Sequence, residues 1–244
     1  ELWPLNRSIT GEGVRQTLER IKFHLPALQI ESVTSGTAVF DWTIPREWNV
    51  NEAYIVSPSG ERICDFRVNN LHLLGYSIPF EGKIKLKELK EHLYTLPDQP
   101  NAVPYVTSYY KERWGFCLSQ NHYDQLKEGD YYVKIDTKLF DGVLNYAELK
   151  IEGKSSKEVF ISTYICHPSM ANNELSGLTV VTFLAKWLLE LEQRDHTYRI
   201  VFIPETIGSI TYLSLHHEHM KKNIISGFNV SCVGDERAYS YLPS

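Results

Sequence analysis

The sequence predicts an α/β fold: a mixed, mainly parallel sheet flanked by helices, with a small β-rich subdomain inserted into it. Three observations lead there. Residues 159–165 form a short β-branched and aromatic run that stops at His167-Pro168, and apolar residues at helical spacing follow from 175 to 191. The same order recurs at 199–204, 205–208 and 209–222 as strand, turn and helix, and 227–234 forms a third strand before Asp235-Glu236. Between 39 and 128 the texture changes to short β segments, aromatics and turns. Strands alternating with helices imply crossover connections and a largely parallel sheet. The predicted division is 1–38 and 129–244 for the α/β domain, with 39–128 as the insert.

Bulk properties narrow the function classes. The chain has 244 residues, enough for a substantial core, with 43% hydrophobic and 23% charged residues. A formal charge of −5 argues against nucleic-acid binding, which requires a basic face. No apolar run reaches the ~18 residues that a membrane span needs. The cysteines, Cys64, Cys117, Cys166 and Cys232, lie far apart without CxxC spacing. Cys166 and Cys232 sit in apolar strands, so buried free thiols and a cytoplasmic location are expected. The chain begins without Met and stops at Ser244 in mid-pattern, and so reads as a fragment of a longer protein.

In chain order, Val14, Leu18, Ile21 and Leu25 share one face of a first helix that Thr10 is expected to cap and Pro26 to end. Residues 30–34 alternate as an edge strand. In the insert, 53–56 and 61–66 flank the turn Ser57-Pro-Ser-Gly60 as a hairpin. Strands are expected at 71–76 and 82–86, a brief helix at 86–94, and a further strand pair at 105–110 and 114–118. Longer strands follow at 131–135 and 143–151.

The chemistry concentrates at the strand ends, where open α/β sheets place their ligand sites. His167 lies within seven residues of Asn172, Asn173 and Glu174 on one loop, and imidazole nitrogen with carboxylate oxygen is a donor set that Zn²⁺ takes. Glu205 follows Pro204 at the end of an apolar strand. Partial desolvation there is expected to raise its pKa towards that of a general base, although a helix N-terminus also favours an acidic residue. Asp235 offers a third strand-end carboxylate. The run His216-His217-Glu218-His219 lacks an i, i+4 pair of histidines and reads as a polar helix end. There is no Gly-x-Ser-x-Gly elbow, phosphate-binding loop or dinucleotide fingerprint.

These residues resemble the co-catalytic zinc aminopeptidases of the bacterial leucyl aminopeptidase and glutamate carboxypeptidase type. The sheet would then be zinc aminopeptidase/phosphorylase-hydrolase-like. Pro4 to Ser8, Trp114 to Cys117, Ile165 to Ser169, Pro204 to Gly208 and Cys232 to Asp235 look like a bacterial group described only as having an aminopeptidase-like domain. That group often lies near polysaccharide-biosynthesis genes. The resemblance implies His167 as the first metal ligand, residues 172–177 as the bridging loop, and Glu205 as the base. It also exposes departures. Asn173 stands where a bridging Asp belongs, Thr206 replaces a ligand Glu, and Ser169 replaces the Asp that orients the first His. One zinc is therefore expected rather than two, held by His167 with Asp235 or Glu174 near Asn173, and the last His ligand is expected beyond this chain. The implied reaction is hydrolysis of a peptide or other amide bond, an N-acylated sugar included. The alternative is a catalytically degenerate binding module. Arg7 is a candidate anchor for a substrate carboxylate, and Tyr109, Tyr110 and Trp114 are candidates to grip an apolar or sugar group. Homo-oligomerisation is left open.

Overall fold

The computed structural model describes residues 1–109, 111–236 and 240–241. Its contacts divide the chain into two compact units, Glu1–Arg46 with Asp141–Ser244, and Glu47–Phe140. The first unit opens with α1 (Glu12–His24) and β1 (Gln29–Thr34), then a short hairpin of β2 (Ala38–Val39) and β3 (Trp42–Thr43). Gly11, at φ 98°, is the N-cap of α1 and contributes no side-chain bond. Thr10 is buried beside it and is not the cap that was expected from its hydroxyl.

The second unit contains β4 (Glu47–Val56), β5 (Arg62–Ile63), β6 (Phe80–Lys85), α2 (Leu86–Leu89), β7 (Leu93–Tyr94), β8 (Phe116–Cys117), α3 (Gln120–Asp124) and β9 (Asp130–Phe140). Its four-stranded antiparallel sheet has the order β5-β4-β9-β6. The hairpin at 57–60 forms, with Gly60 in the left-handed region at φ 87°. Two expected strands do not. Residues 71–76 make only isolated bridges around a 3₁₀ turn, and among the described residues of 105–118 only Phe116–Cys117 is a strand, paired in parallel with β7. Their aromatic content follows from ring packing instead. Trp48 stacks on Tyr76, and Trp114 stacks between Phe80 and His92.

The chain returns to the first unit with β10 (Val143–Ile151), β11 (Ser155–Tyr164), α4 (Ser176–Glu190), β12 (His196–Ile203), α5 (Ile207–Asn223) and β13 (Ile224–Asn229). The sheet order is β1-β10-β12-β11-β13. β12, β11 and β13 are parallel, and β10 and β1 continue the sheet antiparallel. The unit is thus α/β, a central mixed sheet flanked by helices. Alternation along the strands sorts the two faces. Ala147, Leu149, Ile151 and Ile161 pack with Val14, Leu18 and Ile21 of α1 and Leu178, Val181 and Ala185 of α4. On the other face Tyr146 and Phe160 meet Tyr212 of α5. There Arg199 bridges Glu158 and Glu148, with His219 bonded to Glu158. His216, from the same histidine run, bonds the Tyr146 hydroxyl.

α4 can begin against the sheet only because residue 177 is glycine. A Cβ there would lie 2.4 Å from the Val230 carbonyl oxygen and 2.8 Å from Thr163 Oγ1. Helix propensity alone would make Gly177→Ala stabilising by about 1 kcal/mol. The clash with main chain reverses that sign, so the variant is expected to lower the urea midpoint. An unchanged or higher midpoint would show that the contact yields freely.

Candidate functional site

The site lies at the carboxyl ends of β11, β12 and β13, and each strand leaves through a residue in the left-handed region. Ser169 has φ 42°, Thr206 φ 55° and Cys232 φ 54°. For β-branched Thr206 this conformation is strained, and such strain gathers at functional sites. Beyond β11 the chain makes a π turn, Ala171–Leu175, in which the Leu175 amide donates to the Met170 carbonyl, before α4 starts. This wider turn brings Glu174 back under His167.

His167 is the centre of the arrangement. Its Nδ1 lies 2.7 Å from Glu174 Oε2 and its Nε2 lies 3.1 Å from Glu205 Oε1. The ring also meets Tyr164 edge to face at 5.5 Å. Burial opposes charge on this imidazole, yet its bonds to Cys166, Glu174 and Glu205 outweigh burial and raise its pKa. Glu205 behaves differently from the sequence expectation. The His167 bond outweighs partial desolvation and holds its pKa below the usual carboxylate value rather than raising it. The side chain is also 44% exposed, so water screens it.

Glu174 is 1% exposed, and burial pushes its pKa up against the pull of His167 and Arg7. Arg7, equally buried, places its Nε 3.3 Å from Glu174 Oε1 and donates from Nε to the His167 carbonyl. Ser169 Oγ donates to the Trp3 carbonyl, so the bond to Nδ1 comes from Glu174 instead of from residue 169. The bridging-loop residues divide their tasks. Asn172 Nδ2 donates to Asp235 Oδ2 at 2.7 Å, and the Gly234 amide donates to Asn172 Oδ1. Asp235 thus docks on Asn172, six residues past the end of β13. Asn173 Oδ1 is buried without a hydrogen-bond partner among the described residues.

Tyr109 and Trp114 lie in the second unit. The Tyr109 hydroxyl bonds that of Tyr105, its ring meets Tyr76 edge to face, and Trp114 is in the stack with Phe80 and His92. Tyr110 lies outside the described residues. A pocket of about 430 Å³ opens beside Glu205, walled by Phe160, Tyr164, Ile203, Leu213 and Met220.

Metal-ligating atoms of Cys166, His167 and Glu174 lie within 4.8 Å of one another. Cys166 is an unpromising ligand there, since burial raises its thiol pKa and it accepts the Glu205 amide at 3.3 Å. The sequence marks this cysteine as a buried free thiol, which it is, and its only further signal is adjacency to His167. The Nε2 side fits a cation better. Nε2 is the imidazole nitrogen left on the open side of the ring, 3.1 Å from the half-exposed Glu205 carboxylate. A carboxylate on Nδ1 is the usual support of a metal-bound histidine. One imidazole nitrogen with a strand-end carboxylate is a donor set for a single divalent cation, and the neutral Asn173 does not supply the carboxylate that would bridge two.

A family model described as "Domain of unknown function (DUF4910)" matches residues 1–244. The chain belongs to the DUF4910 family. It is 49% identical over 241 residues to a Clostridium acetobutylicum protein named "Putative polysaccharide biosynthesis protein with aminopeptidase-like domain". That match covers 99% of this chain and 55% of the relative, so the DUF4910 chain spans about half of the relative's length. A crystal structure of a "putative peptidase" from C. acetobutylicum superimposes with TM-score 0.93 at 50% identity, over 96% of this chain and 55% of that one. Two more distant structures share the fold. They are an M28 peptidase precursor from Shewanella amazonensis (TM-score 0.61, 14% identity, 91% of this chain and 66% of that one) and a Bacillus subtilis zinc aminopeptidase (TM-score 0.61, 13%, 93% and 65%). The DUF4910 chain therefore has the zinc-aminopeptidase fold. Among the described residues no helix is long and apolar enough to cross a membrane.

Removing the Glu174 charge isolates the buried Arg7 guanidinium. Glu174→Gln is therefore expected to cost roughly 3–5 kcal/mol of unfolding free energy, measured by chemical denaturation. A loss within 0.5 kcal/mol, taken as about the size of a surface substitution, would mean that water already compensates both groups.

Proposed function

We propose that this domain contributes the catalytic centre of a metal-dependent hydrolase of the aminopeptidase type, acting on a peptide or other amide bond. The observation behind this is the His167 ring, with a carboxylate on Nδ1 and the Glu205 carboxylate on Nε2. The fold shared with zinc aminopeptidases and the peptidase description of the C. acetobutylicum structure support it.

One zinc ion would be held by His167 through Nε2, with Asp235 as the acidic partner, and would supply Lewis acidity at the scissile carbonyl. Glu174 keeps the imidazole oriented by accepting from Nδ1–H. Glu205, held ionised, accepts a proton from the attacking water and returns it to the leaving amine. Its lowered pKa makes it a weaker base than a desolvated carboxylate, so its contribution depends on position more than on basicity. The pocket beside it, with Phe160, Tyr164, Leu213 and Met220 in its walls, suits an apolar portion of the substrate. The polysaccharide-biosynthesis name of the C. acetobutylicum relative makes an N-acylated sugar a second amide to test. Arg7, Glu174, His167 and Glu205 also form a charge-compensated chain by themselves. That observation favours a second reading, a binding module with the hydrolase fold and no turnover.

Elemental mass spectrometry of the purified protein, before and after zinc addition, separates the readings. The expected content is about one zinc per chain in wild type and in Glu205→Gln, and none in His167→Ala. Against aminoacyl-anilide and N-acyl-sugar substrates, Glu205→Gln is expected to lose about 10²–10⁴-fold in kcat, the usual contribution of a positioned base. No bound metal at excess zinc would overturn the hydrolase reading and leave the binding module.

A further inference from the structure

Arg7 comes from the segment before α1, far from the site in sequence, yet its side chain reaches the centre of it. A close approach makes this possible. Gly13 in the first turn of α1 has room for no side chain, because a Cβ there would lie 2.0 Å from the Asn6 carbonyl oxygen. The Asn6–Arg7 main chain therefore lies directly on the helix and turns Arg7 inward. At 1% exposure the guanidinium is behind the site, out of reach of a substrate carboxylate.

One planar group donates to two main-chain carbonyls and lies in ion-pair range of a carboxylate. Nε donates to the His167 carbonyl at 2.9 Å and lies 3.3 Å from Glu174 Oε1, while Nη1 donates to the Leu2 carbonyl at 2.7 Å. Nη2 is buried without a hydrogen-bond partner among the described residues. Arg7 thus touches the main chain of His167 and the carboxylate that holds the His167 ring.

We propose that Arg7 is the positioning residue of the metal-facing histidine, clamping the His167 carbonyl and the Glu174 carboxylate so that Nδ1 stays on Glu174 and Nε2 faces Glu205. This rests on the metal-dependent reading above. A histidine ring can turn about its side-chain bonds unless both its main chain and its far nitrogen are fixed. Arg7 fixes the first directly and the second through Glu174. The fork geometry matters as well as the charge, because a lysine ammonium is a point charge that does not reach several acceptors in one plane.

The sign of the effect distinguishes positioning from plain electrostatics. If Arg7 were only a nearby positive charge, its removal would tighten binding of a second cation. If it positions His167, its removal weakens that binding. The experiment is competition of the metal-free protein with a chromophoric zinc chelator, for wild type, Arg7→Lys and Arg7→Met. The Co²⁺ absorption spectrum reports coordination and a thermal melt reports folding. Arg199→Met serves as the control, since it breaks a buried ion pair beneath α5. It is expected to lower the melting temperature and leave zinc affinity as in wild type. Loss of a partner that orients a metal ligand weakens affinity by about 10–100-fold. That range is expected for Arg7→Met, with about tenfold for Arg7→Lys and an altered Co²⁺ spectrum in both. Arg7→Lys keeps the buried charge paired and supplies the reading if Arg7→Met does not fold. Zinc affinity within twofold of wild type, or tighter, in the folded variants would overturn the inference while leaving the metal reading intact. A wild type that binds no zinc would overturn both.

Discussion

A buried guanidinium facing a buried carboxylate organises this end of the sheet. Each of the two charges would cost several kcal/mol to desolvate alone, so neither is stable there without the other. Together they constrain everything around them. The segment before α1 must lie against that helix closely enough for Arg7 to enter, which Gly13 permits. The chain after β11 must widen into a π turn for Glu174 to point inward. The remaining oxygen of Glu174 then meets His167, and the outer nitrogen of that ring is left to face Glu205.

The rim of the site is built by a different kind of interaction. The loop after β13 is docked on the π turn and the start of α4 by hydrogen bonds rather than by an ion pair. Asn172 spans Gly234 and Asp235, Ser176 Oγ accepts from the Val233 amide, and Tyr164 donates to Ser231. Gly177 lets the α4 backbone approach Val230 closely enough for these bonds to form. The left-handed conformations of Ser169, Thr206 and Cys232 are the local cost of turning three strand ends towards one centre.

An amide in place of the carboxylate at residue 173 changes what this fold can hold. Asn173 has an oxygen to offer but no charge, and two zinc ions near one another need shared anionic ligands to offset their repulsion. Glu174, the next residue, is already committed to Arg7 and His167. The buried carboxylate of this loop therefore lies behind the histidine, on its Nδ1 side.

Much of the architecture was legible in the chain because it rests on local periodicity. The apolar runs at 159–165 and 199–204 are strands, the helices at 176–190 and 207–223 lie where the spacing put them, and His167 and Glu205 converge as strand-end residues do. Errors arose where aromatic density imitated strand pattern. Tyr76 packs its ring on Trp48 and edge to face with Tyr109, and such ring contacts leave no period-two signature to separate the cases. The roles within the site were not legible, because they depend on partners distant in sequence. Arg7 and His167 are 160 residues apart, and only folding makes the guanidinium an inward clamp. The pKa of Glu205 likewise follows from His167 Nε2 at 3.1 Å, not from the apolar strand before it. Sequence by itself determined which residues could ligate and where the strands would bring them, since alternation and turns are local properties. Tertiary structure alone decided which carboxylate lies buried on Nδ1 of the histidine and which lies half-exposed on Nε2, since electrostatic roles follow from burial and distance.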